Sequence, residues 1–174
     1  PEGLPISFII TDGPGGGESL DTTGNGPYNT VTNSMGKARV PIQSGTVAGS
    51  VRIRAYHNTI LSNATQIIVS AGPPAQIVIG TEFCNIDYWD NVGEQVGIVA
   101  VVSDIYMNPV PTTTGVSFPT AEGPRKSHEA RTQNLEGFAS TNWISGTKVP
   151  PAYGIVRVIG EPAGATGADT GSST

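Results

Sequence analysis

Two similar stretches of sequence, residues 5–14 (PISFIITDGP) and residues 115–124 (GVSFPTAEGP), decide the fold of this chain. In the first stretch Ile6, Phe8 and Ile10 alternate with residues that would point to the opposite side, which is the pattern of a β-strand with one buried face. The second stretch repeats the alternation, and both stretches end in a Gly-Pro turn signal. The chain therefore contains an internal repeat whose unit begins with a strand.

Two further sets of matching segments follow in the same order. Gly36-x-Ala38 and Ser44-Gly45-Thr46 recur as Gly137-x-Ala139 and Ser145-Gly146-Thr147, and Gly49-Ser50-Val51-Arg52-Ile53 recurs as Gly154-Ile155-Val156-Arg157-Val158. The offset changes only in turn-rich stretches, where insertions cost little loop-closure entropy. The predicted inward residues are Ile6, Phe8, Ile10, Ala38, Val40, Ile42, Val51, Ile53 and Ala55 in the first copy, and Val116, Phe118, Ala139, Thr141, Trp143, Val156 and Val158 in the second. We expect Trp143, which stands where the first copy has Ile42, to fill the second core.

The composition favours an all-β protein. The 23 Gly and 14 Pro residues exceed a fifth of the 174 residues, and only 13% of the chain is charged, unlike the Lys- and Glu-rich composition of helical proteins. Short runs of Val, Ile and Thr are separated by Gly, Pro, Asn and Ser, as expected of short strands joined by turns.

The charge and hydropathy exclude several partners. The net charge is −5 without a cluster of Lys or Arg, so neither nucleic acid nor insertion into a membrane is expected. No apolar run approaches the roughly 18–20 residues that a membrane-spanning helix needs, and the first residues carry no signal-peptide pattern. We therefore expect a soluble segment that is mature or excised.

The repeat predicts two β-sandwiches and a tail. The first comprises residues 1–72, the second residues 73–162, and a Gly/Ser/Thr-rich tail or linker occupies residues 163–174; two prolines within 71–74 would stiffen the junction. Residues 75–79 and 96–102 read as two more strands, the latter apolar on both faces and therefore central. Neither has a counterpart before Ile6, so the first sandwich would lack its opening strands. They would come from a longer array of which the chain is a fragment, or from a neighbouring chain.

Several of these segments resemble the bacterial immunoglobulin-like repeats of invasin- and intimin-type proteins. The resemblance rests on Pro5-Ile6-Ser7-Phe8, Gly115-Val116-Ser117-Phe118, residues 32–38, residues 132–139, and Ser103-Asp104 with Asn108-Pro109-Val110. It implies tandem immunoglobulin-like β-sandwiches that act in adhesion at a surface. The family usually has Gly before the Asn-Pro pair, where this chain has Met107, so we expect that turn to be altered or strained.

The sequence offers no constellation for catalysis. His57 and His128 fall in different copies of the repeat, and the nucleophile-elbow pattern is absent. Cys84 excludes an intramolecular disulfide because it is the single cysteine, and without a basic neighbour it reads as a buried, inert thiol. We expect no enzymatic activity and no cofactor.

One loop holds the candidate binding residues. The carboxylates of this loop form a weak calcium candidate, because hard cations bind several oxygen ligands at short range. These carboxylates belong to Glu82, Asp87, Asp90 and Glu94. The aromatic side chains of the loop, which are those of Phe83, Tyr88 and Trp89, could stack on sugar rings or anchor a protein partner. The alternative is that they pack at the end of the sandwich.

These expectations define three functions for an extracellular or cell-surface protein. The first is a structural or adhesive segment whose repeats act as a spacer or stalk. The alternative is a subunit of an extracellular filament or a virion-associated module, completed by strand donation through sheet edges. The third is a carbohydrate-binding module that recognises surface glycans.

Overall fold

The computed structural model describes residues 1–85, 92–119, 128–146, 158–163 and 171–173. Residue contacts divide the chain into two compact units, Pro1–Ser70 (unit 1) and Ala71–Thr174 (unit 2). Strands make up the regular structure of the described residues, apart from one short 3₁₀ turn. The all-β prediction is confirmed.

Unit 1 contains seven strands. They are β1 (Pro5–Asp12), β2 (Ser19–Leu20), β3 (Tyr28–Val31), β4 (Ile42–Gln43), β5 (Gly49–His57), β6 (Ile60–Leu61) and β7 (Thr65–Val69). The main sheet has the order β3-β1-β5, and both β6 and β7 pair with the other side of β5. The short strands β2 and β4 form a separate two-stranded ribbon.

The described residues of unit 2 form two sheets, of four and three strands. Its elements are β8 (Gln76–Thr81), β9 (Gln95–Ser103), β10 (Gly115–Phe118), β11 (His128–Arg131), the 3₁₀ turn η1 (Asn134–Glu136), β12 (Phe138–Ile144), β13 (Val158–Pro162) and β14 (Gly171–Ser173). The four-stranded sheet has the order β11-β10-β13-β14, and the three-stranded sheet has the order β12-β9-β8. The prediction that residues 96–102 form a central strand is therefore confirmed.

The two sheets of unit 2 enclose one core, to which both contribute fully buried side chains. The core residues are Ile77, Val96, Ile98, Ala100, Val102, Val110, Val116, Phe118, Ala139, Trp143 and Val158. Trp143 is 7% exposed, as its predicted place in the second core requires. Val156 lies outside the described residues. This arrangement is a β-sandwich, in which the inward faces of two sheets interdigitate.

The repeat is reproduced in the hydrogen-bond register. Ser7 pairs with Tyr56, and their counterparts in the repeat, Ser117 and Glu161, pair with each other, so the two strands meet in the same register in both units. A buried threonine also occupies the same position in each unit. Thr32 accepts a hydrogen bond from the backbone of Leu4 and donates to the carbonyl of Pro1, while Thr132 accepts from Thr114 and donates to Pro111.

The tail prediction needs a correction. Gly171–Ser173, within the segment that reads as a linker, pairs antiparallel with β13 as strand β14. Strand pairing uses backbone N–H and C=O groups, so a segment without branched apolar residues can still add to a sheet edge. Residues 164–170 and 174 lie outside the described part of the chain.

Candidate interaction surfaces

The predicted calcium loop is described only at its two ends. Glu82 is exposed and donates its backbone N–H to the carbonyl of Gly97 at 2.9 Å. Glu94 is also exposed, and its backbone N–H donates to the hydroxyl of Ser145 at 2.9 Å. Asp87 and Asp90 lie outside the described residues. Among the residues that are described, no group of three or more His, Cys, Asp or Glu side chains could hold a metal ion.

The aromatic cluster of the same loop is likewise described in part. Phe83 follows β8 and is 54% exposed, which suits contact with a partner better than packing in a core. Tyr88 and Trp89 lie outside the described residues. The prediction of a buried Cys84 is wrong, because Cys84 is exposed beside Phe83 in the loop that leaves the sheet.

The two histidines belong to different units. His57, at the end of β5 in unit 1, holds Nδ1 2.6 Å from the carbonyl oxygen of Pro5. A carbonyl accepts only, so Nδ1 donates, and Nε2 is left to accept from Asn58 at 3.2 Å. His128 belongs to β11 in unit 2. The histidine contacts of unit 1 are therefore those of a residue that joins the ends of β1 and β5.

A tightly bonded turn follows β9 in unit 2. The carboxylate of Asp104, which is 2% exposed, accepts hydrogen bonds from the backbone N–H groups of Gly72, Tyr106 and Asn108 and from the Asn108 side chain, at 2.8–2.9 Å. Burial alone would raise the pKa of Asp104. The hydrogen bonds outweigh burial and hold its pKa below the ordinary value, so the turn is built around a carboxylate anion.

The tip of this turn presents apolar side chains to solvent. Ile105, Tyr106 and Met107 are 66%, 57% and 66% exposed. Met107 has a φ of 68°, in the left-handed region that a side chain with a β-carbon disfavours, so the strain predicted at this position is confirmed. The chain retains the turn because the Asp104 hydrogen bonds on either side impose the backbone path.

The outward face of the three-stranded sheet in unit 2 is a second apolar surface. Val78, Val101 and Phe138 are direct cross-strand neighbours on β8, β9 and β12, and they are 66%, 36% and 42% exposed. The residues of these three strands that share the outward face with Val78, Val101 and Phe138 include no charged residue. The outward residues are Gln76, Val78, Gly80, Gln95, Gly97, Val99, Val101, Ser103, Phe138, Ser140, Asn142 and Ile144. Strand β9 has apolar residues on both of its faces, and this pattern predicts a central strand. The same pattern is also the sequence signal for the outward apolar surface.

A third surface lies in unit 1, where the predicted inward residues are only partly covered. Its fully buried apolar residues are Ile10, Leu20, Val51 and Ile53, whereas Phe8, Tyr28, Val40, Ile42 and Val69 pack against them half-buried. The core of unit 1 is therefore smaller than that of unit 2, although the inward sequence pattern is the same.

No model of a known protein family matches the chain, and no curated protein matches it. Among solved structures it is similar to FdeC, an Escherichia coli adhesin described as eliciting protection against urinary tract infections. The TM-score is 0.54 and the identity 17%, over 98% of this chain and 52% of the FdeC chain, so this chain spans about half of that structure. At this identity the likeness concerns the fold alone. No helix among the described residues has the length and hydropathy for a membrane crossing.

Proposed function

We propose that this chain is a segment of a cell-surface adhesion protein in which repeated immunoglobulin-like units act as a spacer or stalk. The observation that carries the proposal is the duplication of one structural plan, down to the buried Thr32 and Thr132 that make the same two hydrogen bonds in their own units. Repeated units of one plan lengthen a protein without adding a new fold. The fold likeness to a bacterial adhesin supports the same proposal.

In this proposal the chain acts by contact and carries no catalytic group. The surfaces available for contact are apolar or uncharged and are borne on the sheet and turns of unit 2, including Val78, Phe138 and Tyr106. The buried carboxylate of Asp104 is satisfied by four hydrogen bonds and organises a turn. Buried carboxylates of this kind are structural when every oxygen is occupied.

Sedimentation equilibrium of residues 1–174 tests the spacer role, because a spacer stays monomeric across a wide concentration range whereas a filament subunit assembles. Concentration-dependent assembly would contradict the proposal. A glycan array with the same chain tests carbohydrate binding, and Trp89→Ala is its matched variant. Glycan binding that Trp89→Ala abolishes would show that the segment is itself the adhesive module and not a spacer.

A further inference from the structure

Unit 2 shows how the inward face of this fold is covered, and unit 1 lacks the covering strands. Residues 71–110 contribute six of the eleven buried core residues that the structure describes in unit 2: Ile77, Val96, Ile98, Ala100, Val102 and Val110. Strands β8 and β9, which carry five of them, have no counterpart among the strands of unit 1. The deficit of unit 1 is therefore one specific ribbon of two strands together with the turn that follows it.

The residues left without that cover are identified by the repeat. Val116, Phe118, Ala139 and Trp143 are buried in unit 2, and each counterpart in unit 1 is only half-buried. Those counterparts are Ile6, Phe8, Ala38 and Ile42. By contrast Ile53 and its counterpart Val158 are both buried, although Val158 shares its core with Ile77 of β8. The loss of burial in unit 1 therefore concerns the four residues named above and is not spread over the whole unit.

The backbone shows the same vacancy. In unit 2, β12 runs the full length of Phe138–Ile144 beside β9, with Ala139 opposite Ala100 and Trp143 opposite Val96. The matching segment of unit 1, residues 37–43, is a strand only at Ile42–Gln43, where it meets β2. Residues 38–41 belong to no strand, and only the Pro41 carbonyl among them accepts a backbone hydrogen bond, from Asp21 at 3.1 Å, so the backbone of residues 38–40 remains open to a partner.

A pair of glycines confirms where the partner strand would lie. Gly137 has a φ of 69°, and a β-carbon there would overlap the carbonyl oxygen of Val102 in β9. Its counterpart Gly36 has a φ of 74°, but nothing lies within 4 Å of the place where a β-carbon would stand. Unit 1 therefore has space for a β9-like backbone at the position that β9 occupies in unit 2.

We infer that unit 1 has an open site for a two-stranded ribbon of the β8–β9 type, supplied by a further immunoglobulin-like segment. Its second strand runs antiparallel to residues 37–43 and places residues like Ala100, Ile98 and Val96 opposite Ala38, Val40 and Ile42. The site selects an uncharged strand that alternates branched apolar side chains toward the core, because the face it covers is apolar. This inference does not depend on the adhesive role.

A second copy of the chain does not meet this requirement. Each copy has one β8–β9 ribbon, and that ribbon already forms the middle and the edge of the unit 2 sheet. A copy that donated its ribbon would uncover its own unit 2. Two copies together have two ribbons but four units that each need one. An exchange of this kind gains no net apolar burial.

The test is to fuse a second copy of residues 71–110 directly before Pro1. In unit 2 Val110 is followed by Pro111, the counterpart of Pro1, so the fusion reproduces the connection that unit 2 uses. Amide hydrogen exchange, read by mass spectrometry, should slow by at least about tenfold in residues 37–43 as they join a sheet. Exchange in β12 serves as the internal reference and should not change.

The matched control is the same fusion carrying Val96→Asp and Ile98→Asp in the added copy only, which should leave residues 37–43 as fast as in the original chain. Unchanged exchange with the unaltered ribbon, or equal slowing with the altered one, would overturn the inference. If the fused chain does not fold, residues 71–110 are added to the original chain as a separate peptide, and the same slowing is required. A dimer of the original chain with residues 37–43 already protected would instead identify a second copy as the occupant.

Discussion

Gly72 donates its backbone N–H to Oδ2 of Asp104 at 2.9 Å, and this bond joins the first residues of unit 2 to a turn 32 residues later in the chain. Asp104 is therefore more than a turn residue. Its two oxygens organise the backbone that enters β8 and the backbone that leaves β9.

Asp104→Ala should lower the free energy of unfolding of unit 2 by at least about 2 kcal/mol, because several buried N–H donors lose a charged acceptor. Denaturation followed by tryptophan fluorescence measures this, since both tryptophans belong to unit 2. Asp12→Ala is the control, followed by circular dichroism because Asp12 lies in unit 1. Asp12 is exposed, its oxygen is 4.0 Å from Arg52, and its loss should cost less than about 1 kcal/mol. Equal losses for the two variants would contradict this role for Asp104.

The stability of both units should fall in acid. The pKa values of Glu18 and Asp104 are lowered in the folded chain from ordinary values of 4.5 and 3.8, Glu18 by backbone N–H donors of its own loop. A lowered carboxyl pKa stabilises the folded state above the unfolded pKa, and this contribution is lost as the pH falls through the folded pKa. Denaturation midpoints at about pH 7 and about pH 3 should therefore differ less in Asp104→Ala than in the original chain. If the midpoint of unit 2 in Asp104→Ala still shifts between the two pH values as much as in the original chain, other titrating groups cause the loss of stability in acid.

The paired glycines predict unequal costs for one substitution. Gly36→Ala should cost about 1–2 kcal/mol, because the new residue must hold a positive φ. Gly137→Ala should cost about 2–5 kcal/mol, because its β-carbon must also displace the backbone of Val102. Circular dichroism during denaturation follows both units, and tryptophan fluorescence follows unit 2 alone, so a transition seen only by circular dichroism belongs to unit 1. Similar costs would mean that the close approach of β9 to Gly137 is not a constraint.

Trp143→Ala should destabilise unit 2 by about 3–5 kcal/mol, because it removes the largest side chain of the core and leaves a cavity. Ile144→Ala is the matched control on the same strand, since Ile144 points outward and is 39% exposed. Calorimetry measures both variants without relying on the tryptophan signal. A loss below about 1 kcal/mol for Trp143→Ala would place its ring outside the core.

Much of the fold is determined locally and can be predicted from the sequence. Alternation along β1, β5 and β9 specifies which side chains face inward, since successive residues of a strand point to opposite faces. The spacing of the repeat predicts equivalent strands, and the observed registers agree with it. The strain at Met107 was also predictable, because a β-carbon opposes the positive φ of that turn.

The tertiary structure decided what depends on residues distant in the chain. Phe8 and Phe118 have the same local pattern, yet only Phe118 is buried, because burial requires an opposing sheet and only unit 2 has β8 and β9. Likewise Gly171–Ser173 becomes a strand because β13 offers a free edge, not because of its own side chains. The sequence by itself determined which strand faces are apolar. The tertiary structure decided which of these faces are covered, because burial depends on contacts between different strands and not on the residue pattern within a single strand.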